Sequence, residues 1–215
     1  VKLRSKYSVL REANSMKISN FATVAAVAFA LSGIACTQES SEETTDNWDF
    51  SEDELRVGDS CSPARAAGVI PKKQKAFLDT IAFAEGTRNA GGADGYNVMF
   101  SFKLVSECTN HPNQTICRSG YCSTAAGRYQ FLSKTWKGLR LPTFKPENQE
   151  RGAMTLLKWR KAVVPADHTM TATEFKAAMD RASYEWASLP PGRYGQPQKS
   201  LSALRAVYCG GAGGC

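Results

Sequence analysis

The chain has 215 residues, 42% of them hydrophobic, and a formal net charge of +7. That length holds one medium domain with accessory segments, and the apolar share suffices for an ordinary globular core. The positive charges are scattered, with no run longer than Lys72-Lys73, which argues against a dedicated nucleic-acid stripe.

The first segment is read as an address. Lys2, Arg4, Lys6, Arg11 and Lys17 form a basic region, followed by the apolar run FATVAAVAFAL at 21–31 and the small residues Gly33 and Ala35. This order predicts a secretory signal peptide over 1–35, with Met16-Lys17 as an alternative start. Cys36 follows directly, as in a lipobox, so a lipid anchor at Cys36 is expected. The Leu31-Ser32-Gly33-Ile34-Ala35 context departs from the usual lipobox, which prefers Leu three residues before the Cys, and Gly33 and Ala35 also fit ordinary cleavage. Residues 36–68 are rich in Ser, Thr, Asp and Glu and read as an acidic flexible tether. The remainder, 69–215, reads as the folded body. After residue 56 the chain carries 21 Lys/Arg against 11 Asp/Glu, a balance that suits an anionic polymer.

Setting Cys36 aside leaves six cysteines: Cys61, Cys108, Cys117, Cys122, Cys209 and Cys215. An even number in an exported chain predicts disulfides, with the pairing left open and Cys61 a candidate staple between tether and body. A zinc set of Cys108, His111, Cys117 and Cys122 has irregular spacing and an oxidising compartment against it. No cofactor or metal is expected.

Residues 71–84 (PKKQKAFLDTIAFA) read as an amphipathic helix that starts on Pro71 and stops at Gly86. Leu78, Ile81 and Ala82 share a face that Glu85 continues at i+7. A carboxyl that extends a buried stripe at the negative end of a helix has its pKa raised by both features. A carboxyl kept protonated near neutral pH is what a general acid requires. Next comes a Gly-rich loop at 89–95, whose Asp94 is a turn residue or, folded over a cleft, a second carboxylate. Residues 96–105 (YNVMFSFKLV) have strand composition. A short strand or turn follows at 126–131, then a helix capped by Ser133, a helix over 148–161 with Ala153, Leu156, Leu157 and Arg160 on one face, a helix capped by Thr171 or Thr173, and a last helix over 201–208. The expectation is a mostly helical α+β body with a small hairpin region.

Four ordered segments carry a family resemblance: QKAFLDTIAFAEGT at 74–87, Gly95-Tyr96-Asn97-Val98, AGRYQFLS at 126–133 with Trp136 beyond, and Trp186-Ala187-Ser188-Leu189-Pro190 followed by Tyr194-Gly195-Gln196. His111-Pro112 has a counterpart between the second and third. Together they resemble the lambda-type phage endolysins, which are similar to lytic transglycosylases and lie in the lysozyme-like superfamily. The resemblance implies that 69–215 is a lysozyme-like catalytic domain, an α+β fold whose hairpin region flanks an active-site cleft. It implies cleavage of peptidoglycan glycan strands at the MurNAc-GlcNAc β-1,4 bond, by a single catalytic Glu that maps to Glu85. It places Tyr96, Tyr129 and Gln130 along the sugar cleft and Tyr194 and Gln196 at its rim. Asp94 and Glu107 are the nearest candidates for a second carboxylate if water is the attacking group. The family usually has Asp where this chain has Asn97. The signal-like N-terminus is a further departure from the phage enzymes and implies a bacterial export version: periplasmic, membrane-anchored or secreted, and monomeric. Preference for acetylated or deacetylated glycan is open. The alternative is a catalytically silent peptidoglycan-binding lipoprotein on the same fold.

Overall fold

The computed structural model describes residues 59–195 and 197–215. The predicted signal peptide, Cys36, most of the tether and Gln196 lie outside the described residues. Among the described residues, five α-helices surround one core: α1 (Lys72–Glu85), α2 (Ser133–Leu139), α3 (Pro146–Trp159), α4 (Ala172–Ala182) and α5 (Leu201–Ala212). A two-stranded antiparallel sheet, β1 (Ile116–Arg118) and β2 (Tyr121–Ser123), stands between α1 and α2 in the chain. The result is the expected α+β class.

Helix α1 is the central element. Phe77, Leu78, Ile81 and Ala82 are all buried, and the backbone stops at Gly86, whose left-handed φ of 76° lets its N–H reach the carbonyls of Ala82 and Phe83. Helix α5 lies against α1 at close range, with Gly211 facing Ala76; a Cβ on Gly211 would stand 3.0 Å from that of Ala76. Phe77 meets Phe175 of α4 and Tyr208 of α5 edge-on, at centroid distances of 5.9 and 6.5 Å. A second aromatic group, Phe131, Trp136 and Phe144, packs with centroids 4.7 to 6.3 Å apart.

Several expectations shift. Helix α3 begins at Pro146, which suits its first turn, and its buried side carries Asn148, Gln149 and Glu150 as well as Ala153, Leu156 and Leu157. Arg160 lies beyond the helix and pairs with Glu185 at 2.7 Å. Thr171, not Thr173, caps α4, in a reciprocal capping box with Glu174. Ser133 is the first residue of α2 rather than its cap. The predicted strand over 96–105 is instead a loop with isolated bridges, because Ser101 and Phe102 take φ of 61° and 60° and reverse the chain. The hairpin sits in the cysteine-rich segment. Its Ser119-Gly120 turn has φ of 51° and 81°, the left-handed pair that a two-residue hairpin requires.

Residues 59–68, expected in the tether, form two 3-10 turns, Asp59–Cys61 and Pro63–Ala66. Arg65 clamps Glu147 with two N–H donors at 2.9 and 3.1 Å, and Cys61 is bonded to Cys108. The other disulfides are Cys117–Cys122 and Cys209–Cys215. The bridges therefore take the three cysteines considered for zinc.

The core contains one guanidinium. Arg128 is 1% exposed and pairs with Asp79 of α1 at 2.8 Å and with Asp94 of the Gly-rich loop. Its backbone N–H donates to Gln149 Oε1 at 2.9 Å, and Gln149 Nε2 donates to the carbonyls of Phe144 (2.8 Å) and Tyr96 (3.0 Å). Gly127 must be glycine here: its φ is 77°, and a Cβ would lie 2.2 Å from Gln149 Oε1. Removing one partner of a buried ion pair strands the other charges, at a cost of about 3–5 kcal/mol. Arg128→Met is expected to lower unfolding stability by that amount in urea denaturation. A change within the range of a surface substitution would remove Arg128 from its structural role.

Candidate active site

Glu85 ends α1 half-buried in a groove of about 330 Å³. Thr87, Met99, Phe102, Arg118 and Gln130 help line it. Among the described residues lining this groove, Glu85 is the one carboxyl. Ser188 Oγ–H donates to Glu85 Oε1 at 2.5 Å. Burial pushes the Glu85 carboxyl from its ordinary 4.5 up to about 7, and the Ser188 hydrogen bond, which favours the ionised form, partly opposes that rise.

The surrounding chain fixes this geometry. Thr87 Oγ1–H reaches the carbonyls of Arg128 (2.5 Å) and Ala82 (3.2 Å), tying the turn after α1 to the segment that carries Gln130. Ser188 is held by its neighbours: Trp186 Nε1–H donates to the Tyr129 carbonyl at 2.9 Å, and Leu189 is fully buried. Gln130, at φ 46°, donates its amide to the carbonyls of Gly127 (2.9 Å) and Val98 (3.2 Å). Its side-chain oxygen makes no hydrogen bond among the described residues.

The structure brings Glu85 and Gln130 together and separates Tyr96, Tyr129, Asp94 and Tyr194 from them. Tyr96 and Tyr129 are 1% and 0% exposed, and both hydroxyls donate to Glu150 Oε1, Tyr129 at 2.6 Å. They are core residues and cannot meet a sugar, which corrects their placement along the cleft. Burial beside the Glu150 carboxylate raises both phenols well above their usual range, so both remain donors. Of the two readings of Asp94, the turn residue is the one observed. It is a turn residue at φ 49° that accepts the Asn89 N–H at 2.8 Å, pairs with Arg128, and lines a separate cavity with Lys75 and Asp79. Tyr194 is exposed, donates to the Tyr184 carbonyl at 3.0 Å, and is not among the groove-lining residues. Asn97, where the family usually has Asp, is buried and donates its amide to the Gly91 carbonyl at 2.8 Å. A carboxylate there would face that carbonyl without a proton to share.

The pattern of the family described as Endolysin matches residues 75–215. The chain belongs to the endolysin family. The endolysin of Escherichia phage lambda is 35% identical over 147 residues, 65% of this chain and 90% of its own length. That of Escherichia phage P2 is 35% identical over 150 residues, 62% of this chain and 88% of its own. The solved structure of bacteriophage lambda lysozyme complexed with a chitohexasaccharide matches with a TM-score of 0.60 at 36% identity, over 67% of this chain and 96% of that one. This endolysin is accordingly a lysozyme-type glycosidase that cleaves peptidoglycan.

Sequence reasoning missed Ser188, Thr87 and Arg118. Ser188 lies in a quoted motif, but nothing local marks it as the partner of a carboxyl 103 positions away.

The shift of Glu85 has a thermodynamic sign. Its folded pKa exceeds its ordinary value, so the native state holds the proton more tightly. That stabilisation is complete below pH about 4.5 and is lost as pH rises through about 7, on the order of 3 kcal/mol in all. Glu85→Gln is expected to flatten the stability profile across this window, read by denaturation at several pH values. Ser188→Ala removes the bond that favours the ionised form, so the Glu85 carboxyl carbon should titrate at higher pH by NMR. A downward move would contradict the assigned role of Ser188.

Proposed function

We propose that this endolysin cleaves the β-1,4 bond between N-acetylmuramic acid and N-acetylglucosamine with Glu85 as its one catalytic carboxyl. The observation that carries the reading is the half-buried Glu85, its pKa raised by burial to about 7, in a groove with no second carboxyl among its described lining residues. Glu85 protonates the glycosidic oxygen as the C1–O bond breaks. The 2-acetamido oxygen of the muramic acid stabilises the positive charge that develops at C1. The ionised Glu85 then takes the proton from the C6 hydroxyl, whose oxygen bonds to C1. The products are a 1,6-anhydromuramic end and a free 4-hydroxyl on the leaving glucosamine, with no water consumed. Ser188 fits both halves of the cycle, since its hydroxyl steadies the carboxylate between the two proton transfers. The Gln130 side-chain oxygen is available to accept from a sugar hydroxyl or amide.

The complex of lambda lysozyme with a chitohexasaccharide supports a glycan strand as the ligand. Export is the compartment that fits. Three disulfides suit an oxidising environment, and they use six of the seven cysteines, which supports Cys36 as a lipid-bearing residue behind the signal-like segment.

Glu85→Gln is expected to lower cleavage of purified peptidoglycan by about a thousandfold while glycan binding persists. Wild-type activity should fall as pH rises through about 7, because the acid must be protonated. N-deacetylated strands should be cleaved more slowly than acetylated ones, since they lack the participating acetamido group. Full activity of Glu85→Gln would contradict the proposal.

A further inference from the structure

A cation stands over the groove with no partner among the described residues. Arg118 lines the same groove as Glu85, is exposed, and makes no ion pair or hydrogen bond among them. The hairpin dictates its placement. Side chains alternate along β1, so Arg118 shares a face with buried Ile116, while Cys117 points to the opposite face. The Ile116 side chain anchors that face on the body, and Arg118 is thereby turned toward the groove. The backbone cannot easily relax away from this arrangement. The Ser119-Gly120 turn closes the ribbon directly after Arg118, and the Cys117–Cys122 bridge links the pair next to it in the ladder.

We propose that Arg118 is a specificity residue that binds a carboxylate on the muramic acid side of the glycan strand. This rests on the peptidoglycan reading above. The chemistry selects the ligand. A guanidinium presents a planar fork of N–H donors that matches a carboxylate, and a charge-assisted pair is stronger than a neutral hydrogen bond. In a strand of alternating sugars, N-acetylglucosamine has no ionised group. Muramic acid carries a lactyl ether on O3, ending either in a free carboxylate or in a peptide that supplies carboxylates further out. Arg118 would therefore distinguish muramic acid from glucosamine, and peptidoglycan from a glucosamine homopolymer, by charge. Glu85 alone does not tell the two apart, because both sugars present the 2-acetamido group and C6 hydroxyl on which it acts; a charged group at the groove edge can.

The test measures dissociation constants in a Glu85→Gln background, which prevents turnover, with and without Arg118→Ala. Three probes are used: peptide-free glycan strands with free lactyl carboxylates, peptide-bearing strands, and chitohexaose. The proposal expects Arg118→Ala to weaken binding of at least one carboxylate-bearing strand by about tenfold or more. Chitohexaose affinity should be unchanged, which also reports that the groove remains folded. Loss on peptide-free strands identifies the lactyl carboxylate, and loss confined to peptide-bearing strands identifies a peptide carboxylate. The difference should shrink at high salt, where the charge is screened, and Arg118→Lys should restore part of it. Equal weakening toward chitohexaose, or no weakening toward any strand, would overturn the assignment. If the otherwise unaltered protein cleaves peptidoglycan in those cases, only the role of Arg118 falls. If it neither binds nor cleaves the strands, the enzymatic reading falls with it.

Discussion

A guanidinium shut away from water is the constraint on which the rest of the molecule depends. Desolvating Arg128 is costly unless carboxylates and carbonyls surround it, and its partners come from separate parts of the chain. Asp79 sits on the central helix and Asp94 in the Gly-rich loop, while Gln149 of α3 fastens the Arg128 backbone. Satisfying one charge therefore fixes three segments against each other. The same segment then receives the Thr87 hydroxyl on the Arg128 carbonyl, and Thr87 is two residues from Glu85. The Glu85 carboxyl is positioned by an ion pair that takes no part in the chemistry.

The same fold sorts its carboxyls by environment. Asp79 and Asp94 face Arg128, and Glu150 accepts two tyrosine hydroxyls with Lys75 at 3.7 Å. Their partners are cations and hydroxyl donors. Glu85 has burial, one serine hydroxyl and no paired cation among the described residues. Burial thus raises the Glu85 pKa to about 7 beside the groove. A polar core and a reactive groove are two results of one distribution of charges.

The sequence made α1 and Glu85 legible because helical periodicity and a terminal glycine are local signals. Helices α3, α4 and α5 were readable for the same reason: α4 and α5 start where expected, α3 starts two residues earlier at Pro146, and α5 runs on to Ala212. The failures share a cause. Tyr96 and Tyr129 look the same in a motif whether the hydroxyl meets a sugar or a buried glutamate, and Glu150 lies 54 and 21 positions away from them. Residues 96–105 have strand composition, but positive φ at Ser101 and Phe102 is not written in their side chains. Residues 59–68 have the polar composition of a tether, but Ser60, Cys61 and Arg65 hold them to the body through the distant partners Glu107, Cys108 and Glu147. Long-range pairing decided the tyrosines and the 59–68 segment, and local backbone reversal decided the loop.

The central claim is that one carboxyl performs the cleavage without water as a reactant. Digestion of peptidoglycan in oxygen-18 water, followed by mass spectrometry of the released muropeptides, tests it most directly. The account predicts 1,6-anhydro ends that contain no heavy oxygen and are lighter than hydrolytic products by one water. Reducing ends labelled with oxygen-18 would contradict it.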